Sequence, residues 1–256
     1  MALPPLLFIH GLWGRPQNWT ALADHFRARG AMVLTPALPW HDRDPQEPPI
    51  ALLGQTSLHD YVTAMEEVAR TLPAPPVVIG HSAGAVIAQK LAERLPVAGL
   101  ALLAPAPSAG IFGLSASVLR ALAGIMITPS WWKSPVRMDE VRARLAVFNA
   151  VPAAEADAEL AQWQWESGRA LFELLMPWAD RQHGARVAFE KLLAPALVMV
   201  GDQDQLTPVR VARATARRML GQVDYREIAG AGHWLFAESV HGEVVRELEH
   251  FLRQIG

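Results

Sequence analysis

The chain has 256 residues, a length that fits one large domain or a core with an inserted segment. Hydrophobic residues make up 51% of it and charged residues 19%, which supplies a sizeable buried core and excludes a disordered chain. The net charge of -2 excludes the basic surface of a nucleic-acid-binding protein, and the absence of cysteine excludes disulfides, thiolate metal sites and a cysteine nucleophile.

Two segments bear on export and membrane insertion. The N-terminal sequence MALPPLLFIHG lacks the basic flank, long apolar region and small-residue cleavage site of a signal peptide. Residues 111–132 are long enough to span a bilayer, but Arg120 lies near their centre and Pro129 interrupts them. We therefore expect a cytoplasmic protein with no membrane insertion and no nucleic-acid partner, in which this apolar segment is buried or faces a substrate.

Short apolar runs alternate with longer helical patterns, which predicts an α/β protein with a mostly parallel sheet and crossover helices. Most predicted strands are continuous apolar runs, as expected when both faces are covered; they span 6–9, 32–34, 77–79, 99–103, 197–200 and 223–228. The predicted helices span 19–29, 58–72, 85–95, 208–220 and 241–254. Ser57 and Asp60 resemble a capping box, and Thr207 is the predicted N-cap of the helix that begins at Pro208.

The alternation fails across residues 107–185. This segment has helical patterns at 138–149 and 154–176, no convincing strand, and five of the nine tryptophans. We interpret it as a helical insert between two strands of one sheet, so that residues 1–106 and 186–256 form the core.

Residues 77–92, VVIGHSAGAVIAQKLA, place one serine between a predicted strand and a predicted helix. Gly80 and Gly84 stand two positions either side of Ser82, where strand, turn and helix approach closely. Such a turn exposes the hydroxyl, and the N–H of Ala83 at the helix N-terminus is a ready oxyanion donor. An ordinary strand-to-helix turn is the alternative, but the flanking strand and helix favour a nucleophile.

Serine is a poor nucleophile unless a base removes its proton and an acid orients that base. Asp202 and Asp204 follow one predicted strand and His233 follows the next, so the chain order is serine, acid, histidine. Each group lies just past the carboxyl end of its strand, where open parallel sheets bind ligands. Ordinary loop roles are the alternatives; we expect one for Asp202, which follows Gly201 directly, and the orienting role for Asp204.

The first predicted strand is followed by a loop, and residues 9–14 read IHGLWG. A second oxyanion donor is needed from this loop. Gly11 lets the backbone approach the site closely. We expect the N–H of Leu12 to be the donor, with that of Trp13 as the alternative. His10 is expected to bond the loop rather than to act as a base.

At these residues the chain resembles the α/β-hydrolase superfamily over almost its whole length. The matching landmarks are His10-Gly11, Gly80-His-Ser-Ala-Gly84, Gly201-Asp-Gln-Asp204 with Pro208, and Gly232-His233. The resemblance implies Ser82 as nucleophile, His233 as general base and then acid, and Asp204 as the orienting acid. It also implies that the N–H groups of Leu12 and Ala83 bind the oxyanion.

The resemblance also bears on the architecture. It implies an α/β-hydrolase fold in which residues 107–185 form a helical cap, or lid, over the site. The His-Gly loop of the family commonly follows the third strand, whereas only a few residues precede it here. We therefore expect the first two strands to be missing and a sheet of about six strands, with dimerisation through the shortened edge left open.

The expected reaction is acyl transfer to serine and hydrolysis of the acyl-enzyme, without a cofactor. No HExxH or comparable histidine cluster occurs, so no metal is expected. The expected partner is a small apolar acyl substrate, held by the apolar run at 118–127 and by aromatic side chains. Candidate contacts are Trp13, Trp40, His41, Trp163 and Trp234. Packing inside the cap is the alternative role for most cap residues.

A carboxylic-ester hydrolase is the favoured hypothesis. The same three residues would also serve hydrolysis of a C–C bond in a diketone, thioester cleavage or cofactor-free perhydrolysis. A receptor that keeps the pocket and senses a ligand is the alternative outside enzymes.

Overall fold

A computed structural model describes residues 3–255 and shows strands and helices alternating around one main sheet. The first half contains β1 (Leu6–Ile9), α1 (Thr20–Arg27), β2 (Val33–Leu34), α2 (Leu58–Ala69), β3 (Val77–His81), α3 (Ala83–Ala92) and β4 (Gly99–Leu103). There follow α4 (Ala116–Met126), β5 (Pro135–Val136), α5 (Glu140–Ala146), α6 (Ala153–Leu160), β6 (Glu166–Ser167) and α7 (Gly168–Leu175). The chain ends with β7 (Ala196–Gly201), α8 (Val209–Arg218), β8 (Val223–Ile228) and α9 (Glu238–Ile255). Short 3-10 helices lie at Pro16–Trp19, Ala51–Gln55, Trp131–Lys133 and Phe189–Lys191.

The main sheet has six strands in the order β2-β1-β3-β4-β7-β8, and each neighbouring pair is parallel. Its central strands β1, β3, β4 and β7 are buried along their whole length. Continuous apolar strands of this kind need helices on both faces. The predicted parallel sheet of about six strands is confirmed.

Successive side chains of a central strand pack against different helical layers, because they point to opposite faces of the sheet. On one face, Phe8 packs with Phe26 of α1 and Phe251 of α9. On the other face, Leu7 packs in a cluster with Met65 of α2. Since helices cover both faces of the sheet, a ligand is expected to bind at the loops that follow the carboxyl ends of the strands.

The helix predicted across 154–176 is wrong. The structure divides this stretch into α6, the short strand β6 and α7, because Ser167 caps a new helix by accepting the N–H of Ala170 at 3.1 Å. Glu166 and Ser167 pair with Val136 and Pro135 in a two-stranded antiparallel ribbon. A strand of two residues is too short to produce an alternating pattern, so the sequence contained no signal for it.

The predicted N-cap role of Thr207 is also wrong. Pro208 occupies the N-cap position of α8, and within the described residues no side-chain hydrogen bond caps this helix. The Thr207 hydroxyl instead lies 3.0 Å from the carbonyl oxygen of Ala104 and 2.8 Å from a carboxylate oxygen of Asp204. The Thr207 side chain does not cap α8 because its hydroxyl is bonded to these two partners at the edge of the sheet.

Residues 107–185 contribute no strand to the main sheet within the part of the chain that the structure describes. Their assignment as a cap, with the core at 1–106 and 186–256, stays a prediction, as does a dimer through an edge of the sheet. Within residues 3–255, no helix is both long and apolar enough to cross a membrane; α4, in the apolar segment, has 11 residues.

The predicted capping box at the start of α2 is confirmed and provides a test of the fold. Ser57 Oγ accepts the N–H of Asp60 at 3.2 Å, and the Asp60 carboxylate accepts the N–H of Ser57 at 2.8 Å. We predict that Ser57→Ala lowers the free energy of unfolding by about 1 kcal/mol, measured by urea denaturation. Thr71→Ala, at an exposed position just past the helix, should change it by less than about 0.5 kcal/mol. Equal stability of Ser57→Ala and the wild type would contradict the assignment.

Candidate active site

Ser82 lies in a strained turn between β3 and α3, with φ of 56° and ψ of -120°. A residue with a side chain rarely adopts positive φ, so the surroundings must hold it there. The Ser82 N–H donates to the carbonyl oxygen of Leu103 at 2.9 Å, and its own carbonyl accepts the N–H of Ala106 at 3.0 Å. The last residue of β4 and the loop that follows it therefore fix the serine turn.

The two glycines that flank Ser82 are required by close backbone approach. A Cβ atom on Gly84 would lie 2.2 Å from the carbonyl oxygen of Ile9, and one on Gly80 would lie 2.3 Å from that of Gly84. Both distances are far below van der Waals contact. The G-x-S-x-G pattern thus allows β1, β3 and α3 to meet at one point.

Asp204 and His233 are joined by a buried hydrogen bond between Asp204 Oδ2 and His233 Nδ1, 2.8 Å long. The other carboxylate oxygen accepts the N–H groups of Leu206 at 2.8 Å and Thr207 at 2.7 Å. Because a carboxylate accepts, His233 Nδ1 carries the proton and Nε2 is left with a free lone pair. An arrangement of this kind can orient an imidazole as a general base.

Asp202 has a different partner, as the sequence predicted. Its Oδ1 atom accepts the N–H of Gly230 at 2.8 Å, and the residue is exposed. This bond joins the loops after β7 and β8 at a distance from the buried carboxylate of Asp204. It therefore serves the loop structure.

Two further side chains at the site were missed by the sequence analysis. Thr207 Oγ1 lies 3.1 Å from His233 Nδ1, in addition to its contact with Asp204. His81 Nε2 donates to the carbonyl oxygen of His233 at 2.9 Å, and burial holds the pKa of His81 well below its ordinary value. The position of His81 inside the serine motif was the available signal, whereas the Thr-Pro sequence at 207–208 pointed only to a helix start.

The loop after β1 packs directly against Ser82. A Cβ atom on Gly11 would lie 2.8 Å from Ser82 Cβ. Within residues 3–255, the N–H of Leu12 has no hydrogen-bond acceptor, whereas that of Trp13 donates to Glu166 Oε2 at 3.1 Å. The N–H of Ala83 begins α3 and has no acceptor within the helix. Leu12 and Ala83 therefore offer the free donors next to the serine.

His10 is a structural histidine, as expected. The N–H of Leu38 donates to His10 Nε2 at 3.1 Å, so the proton of the ring lies on Nδ1, 2.9 Å from the carbonyl oxygen of Gly11. Burial, and then the neighbouring His41, lower the pKa of His10 to about 3. The ring is thus neutral and supports the loop.

A buried carboxylate lies behind this loop. Glu166 Oε2 is 3.0 Å from His41 Nε2, and its Oε1 accepts the hydroxyl of Tyr61 at 2.5 Å and the N–H of Ser167 at 2.6 Å. His41 Nδ1 lies 3.0 Å from the carbonyl oxygen of Pro39. Because both ring nitrogens face acceptors, His41 is an imidazolium. Nothing in the sequence indicated Glu166, which lay inside a predicted helix.

This ion pair shifts the pKa values of both partners. Burial opposes the charged form of His41, but the Glu166 carboxylate overcomes it and raises the pKa of His41. Burial likewise opposes the charged form of Glu166, but His41 and the other donors lower its pKa. Each partner therefore favours the charged form of the other.

Ser82 and His233 line one cavity of about 340 Å³. Of the predicted substrate contacts, Trp13, Trp163 and Trp234 line it. Trp40 and His41 are not among its lining residues: the Trp40 indole N–H donates to Thr56 Oγ1 at 3.2 Å, and His41 is buried against Glu166. The prediction that these two contact substrate was wrong, because polar partners hold both side chains elsewhere.

The ion pair predicts how stability depends on pH. Because the pKa of His41 is raised on folding, His41 makes a contribution to stability that is fully present below pH 6.5. This contribution is lost as the pH rises through the pKa of His41 in the folded protein. Because the pKa of Glu166 is lowered on folding, Glu166 makes a contribution to stability that is fully present above pH 4.5. This contribution is lost as the pH falls through the pKa of Glu166 in the folded protein. We predict that His41→Gln costs about 3–5 kcal/mol near pH 5.5 and less near pH 9, measured by urea denaturation. The exposed His59→Gln is the control, and a cost that does not change between the two pH values would refute the ion pair.

Comparison with known proteins agrees with this architecture. The model of the alpha/beta hydrolase family matches residues 6–247. The structure is similar to a monoacylglycerol lipase from Paleococcus ferrophilus, with a TM-score of 0.72, 20% identity, and coverage of 100% of this chain and 97% of that one. It is also similar to methylketone synthase I from tomato, solved with 2-tridecanone, with a TM-score of 0.73, 15% identity, and coverage of 100% of both chains.

A third similar structure is a methylesterase from Arabidopsis, with a TM-score of 0.71, 13% identity, and coverage of 97% of this chain and 98% of that one. At these identities the similarity establishes the fold and no more. A search of the curated proteins found no significant match. The family match covers most of the sequence, from residue 6 to residue 247. The chain therefore belongs to the alpha/beta hydrolase family.

Proposed function

We propose that the protein is a serine hydrolase that cleaves carboxylic esters of modest, apolar substrates. The observation that carries this proposal is the Asp204–His233 hydrogen bond beside the cavity that Ser82 also lines. A nucleophile, an oriented base and free backbone donors at one cavity are what acyl transfer requires.

In the proposed mechanism, Ser82 attacks the ester carbonyl while His233 Nε2 accepts its proton. Asp204 keeps His233 in the required tautomer and stabilises the imidazolium that forms. His233 then protonates the leaving alcohol, and water repeats the sequence on the acyl-enzyme.

The proposed oxyanion hole consists of the N–H groups of Leu12 and Ala83. Leu12 is preferred to Trp13 because the Trp13 N–H already donates to Glu166. Each such donor typically accounts for about 100- to 1000-fold in kcat. Within residues 3–255, Ser82 Oγ makes no hydrogen bond to His233 Nε2. Catalytic hydrogen bonds commonly tighten only when substrate binds.

The cavity supports an uncharged apolar substrate. Within the described residues, no Asp, Glu, Lys or Arg lines it, and its apolar surface includes Leu122, Leu171 and Trp234. Burying a charge there without a partner would be costly. The volume of about 340 Å³ lies at the lower end of typical small-molecule sites, which favours substrates of modest size. The similar tomato protein was solved with the apolar ketone 2-tridecanone.

A chain-length series of p-nitrophenyl esters and matched thioesters tests the reaction class. Ester hydrolysis with a preference for short to medium apolar acyl groups is the expected result. Preferential thioester cleavage would change the bond assigned to the same residues. Saturable binding of such compounds without turnover would contradict the enzymatic proposal and favour a receptor.

The nucleophile is tested by Ser82→Ala. We expect the variant to fold and to lose about 10⁴-fold or more in kcat for p-nitrophenyl butyrate, because no other group forms the acyl-enzyme. Labelling by a fluorophosphonate, detected by mass spectrometry, should disappear as well. Ser108→Ala is the control, since Ser108 is buried and its hydroxyl has no partner within the described residues. Undiminished labelling of Ser82→Ala would place the nucleophile elsewhere.

The orienting acid is tested by comparing two aspartates of one loop. Asp204→Asn should reduce kcat by about 10³- to 10⁴-fold, because an amide disturbs the His233 tautomer. Asp202→Asn should retain most of the activity, since that carboxylate bonds Gly230. Steady-state kinetics decide between them, and a larger loss in Asp202→Asn would show that the wrong aspartate was chosen.

A further inference from the structure

We propose that Glu166 is a positioning residue, whose carboxylate holds the Leu12-Trp13 backbone so that the Leu12 N–H faces the oxyanion. This inference rests on the function proposed above and adds a residue from the segment between β4 and β7 to the catalytic machinery. Glu166 does not line the cavity, so it acts through the loop.

Both backbone polar groups of Trp13 are bonded to one short stretch of chain. Its N–H donates to the Glu166 carboxylate at 3.1 Å, and its carbonyl oxygen accepts the N–H of Gln164 at 3.1 Å. The Trp13 and Trp163 rings stack with centroids 6.0 Å apart. Residues 163–166 therefore form a clamp on Trp13.

Trp13 needs such a clamp because its backbone is strained. Its φ is 58°, in the left-handed region that residues with side chains rarely occupy. Strain of this kind persists only where the surroundings determine it. A hydrogen bond to a buried, ionised carboxylate is among the stronger ones available. Holding the N–H of Trp13 fixes the peptide plane that contains the Leu12 carbonyl, and this plane meets the one that carries the Leu12 N–H at the Leu12 Cα.

The Glu166 carboxylate is itself held by three further donors. The Tyr61 hydroxyl comes from α2, His41 comes from the loop after β2, and the Ser167 N–H follows Glu166 directly. Glu166 and His41 side chains are fully buried. With these donors and Trp13 in place, the carboxylate cannot turn without breaking bonds that no water replaces.

The same geometry leaves the neighbouring Leu12 N–H without an acceptor in the described part of the chain. A donor that is free and already aimed needs no reorganisation when the oxyanion forms. If Glu166 loses its charge, the Trp13 N–H loses a charge-assisted acceptor, although Glu166 itself does not line the cavity. The loss should appear in kcat, because the oxyanion exists only in the transition state and intermediate.

The test compares Glu166→Gln with Glu173→Gln in the full-length protein. Glu173 is a matched control: it is a buried carboxylate in the same segment, but it accepts the N–H of Leu58 at 2.8 Å and binds Arg169 at 2.7 Å. For p-nitrophenyl butyrate, we expect Glu166→Gln to lower kcat about 10- to 100-fold with KM changed less than about threefold. We expect Glu173→Gln to keep kcat within about threefold of the wild type. Unchanged kcat in Glu166→Gln, or equal losses in both variants, would overturn the positioning role.

A second measurement covers the case in which Glu166→Gln does not fold. Amide hydrogen exchange of the wild type should show Trp13 protected, although it lies in a loop, because its N–H is bonded to a buried carboxylate. Exchange of Trp13 at the rate of an exposed loop amide would overturn the inference. If the wild type neither turns over esters nor reacts at Ser82, the proposed function fails and the inference with it. If the wild type is active and Glu166→Gln matches it, only the inference fails.

Discussion

The close approach of the loops after β1 and β3 is the constraint on which the site depends. Gly84 at the start of α3 faces the carbonyl oxygens of Ile9 and His10 at distances that exclude any side chain. This contact occurs where the sheet order reverses, since the chain passes from β1 to β2 on one side and then to β3 on the other. Parallel α/β sheets open a crevice at such a point. Ser82 and the Leu12 N–H therefore meet at the same place for a topological reason.

A second pair of loops completes the site from the far side of β4. Asp204 and His233 follow β7 and β8, which are neighbours in the sheet. The bond from His81 to the carbonyl oxygen of His233 links these loops to the end of β3. Thr207 links them to the end of β4 through Ala104. These buried hydrogen bonds hold the serine half and the histidine half of the site in one fixed relation.

The sheet and the convergence of Ser82, Asp204 and His233 at its carboxyl edge were predictable because they leave local signals. Buried parallel strands are continuous apolar runs, and the residues that follow them stand at one edge whatever the details of the loops. The contacts of Glu166 were not predictable, since they involve Trp13, His41 and Tyr61, which are distant in the sequence and carry no common pattern. The sequence analysis wrongly expected Trp40 and His41 at the cavity. A loop sequence does not reveal which partner its side chains will contact in the folded protein.

A crystal structure of the wild type after reaction with an organophosphonate ester would show directly whether Ser82, Leu12 and Ala83 act together. We expect a covalent bond from Ser82 Oγ to phosphorus, with the phosphoryl oxygen about 3 Å from the nitrogen atoms of both Leu12 and Ala83. His233 Nε2 should lie within hydrogen-bonding distance of the adduct. A bond to any other residue, or a phosphoryl oxygen turned away from those two N–H groups, would contradict this expectation.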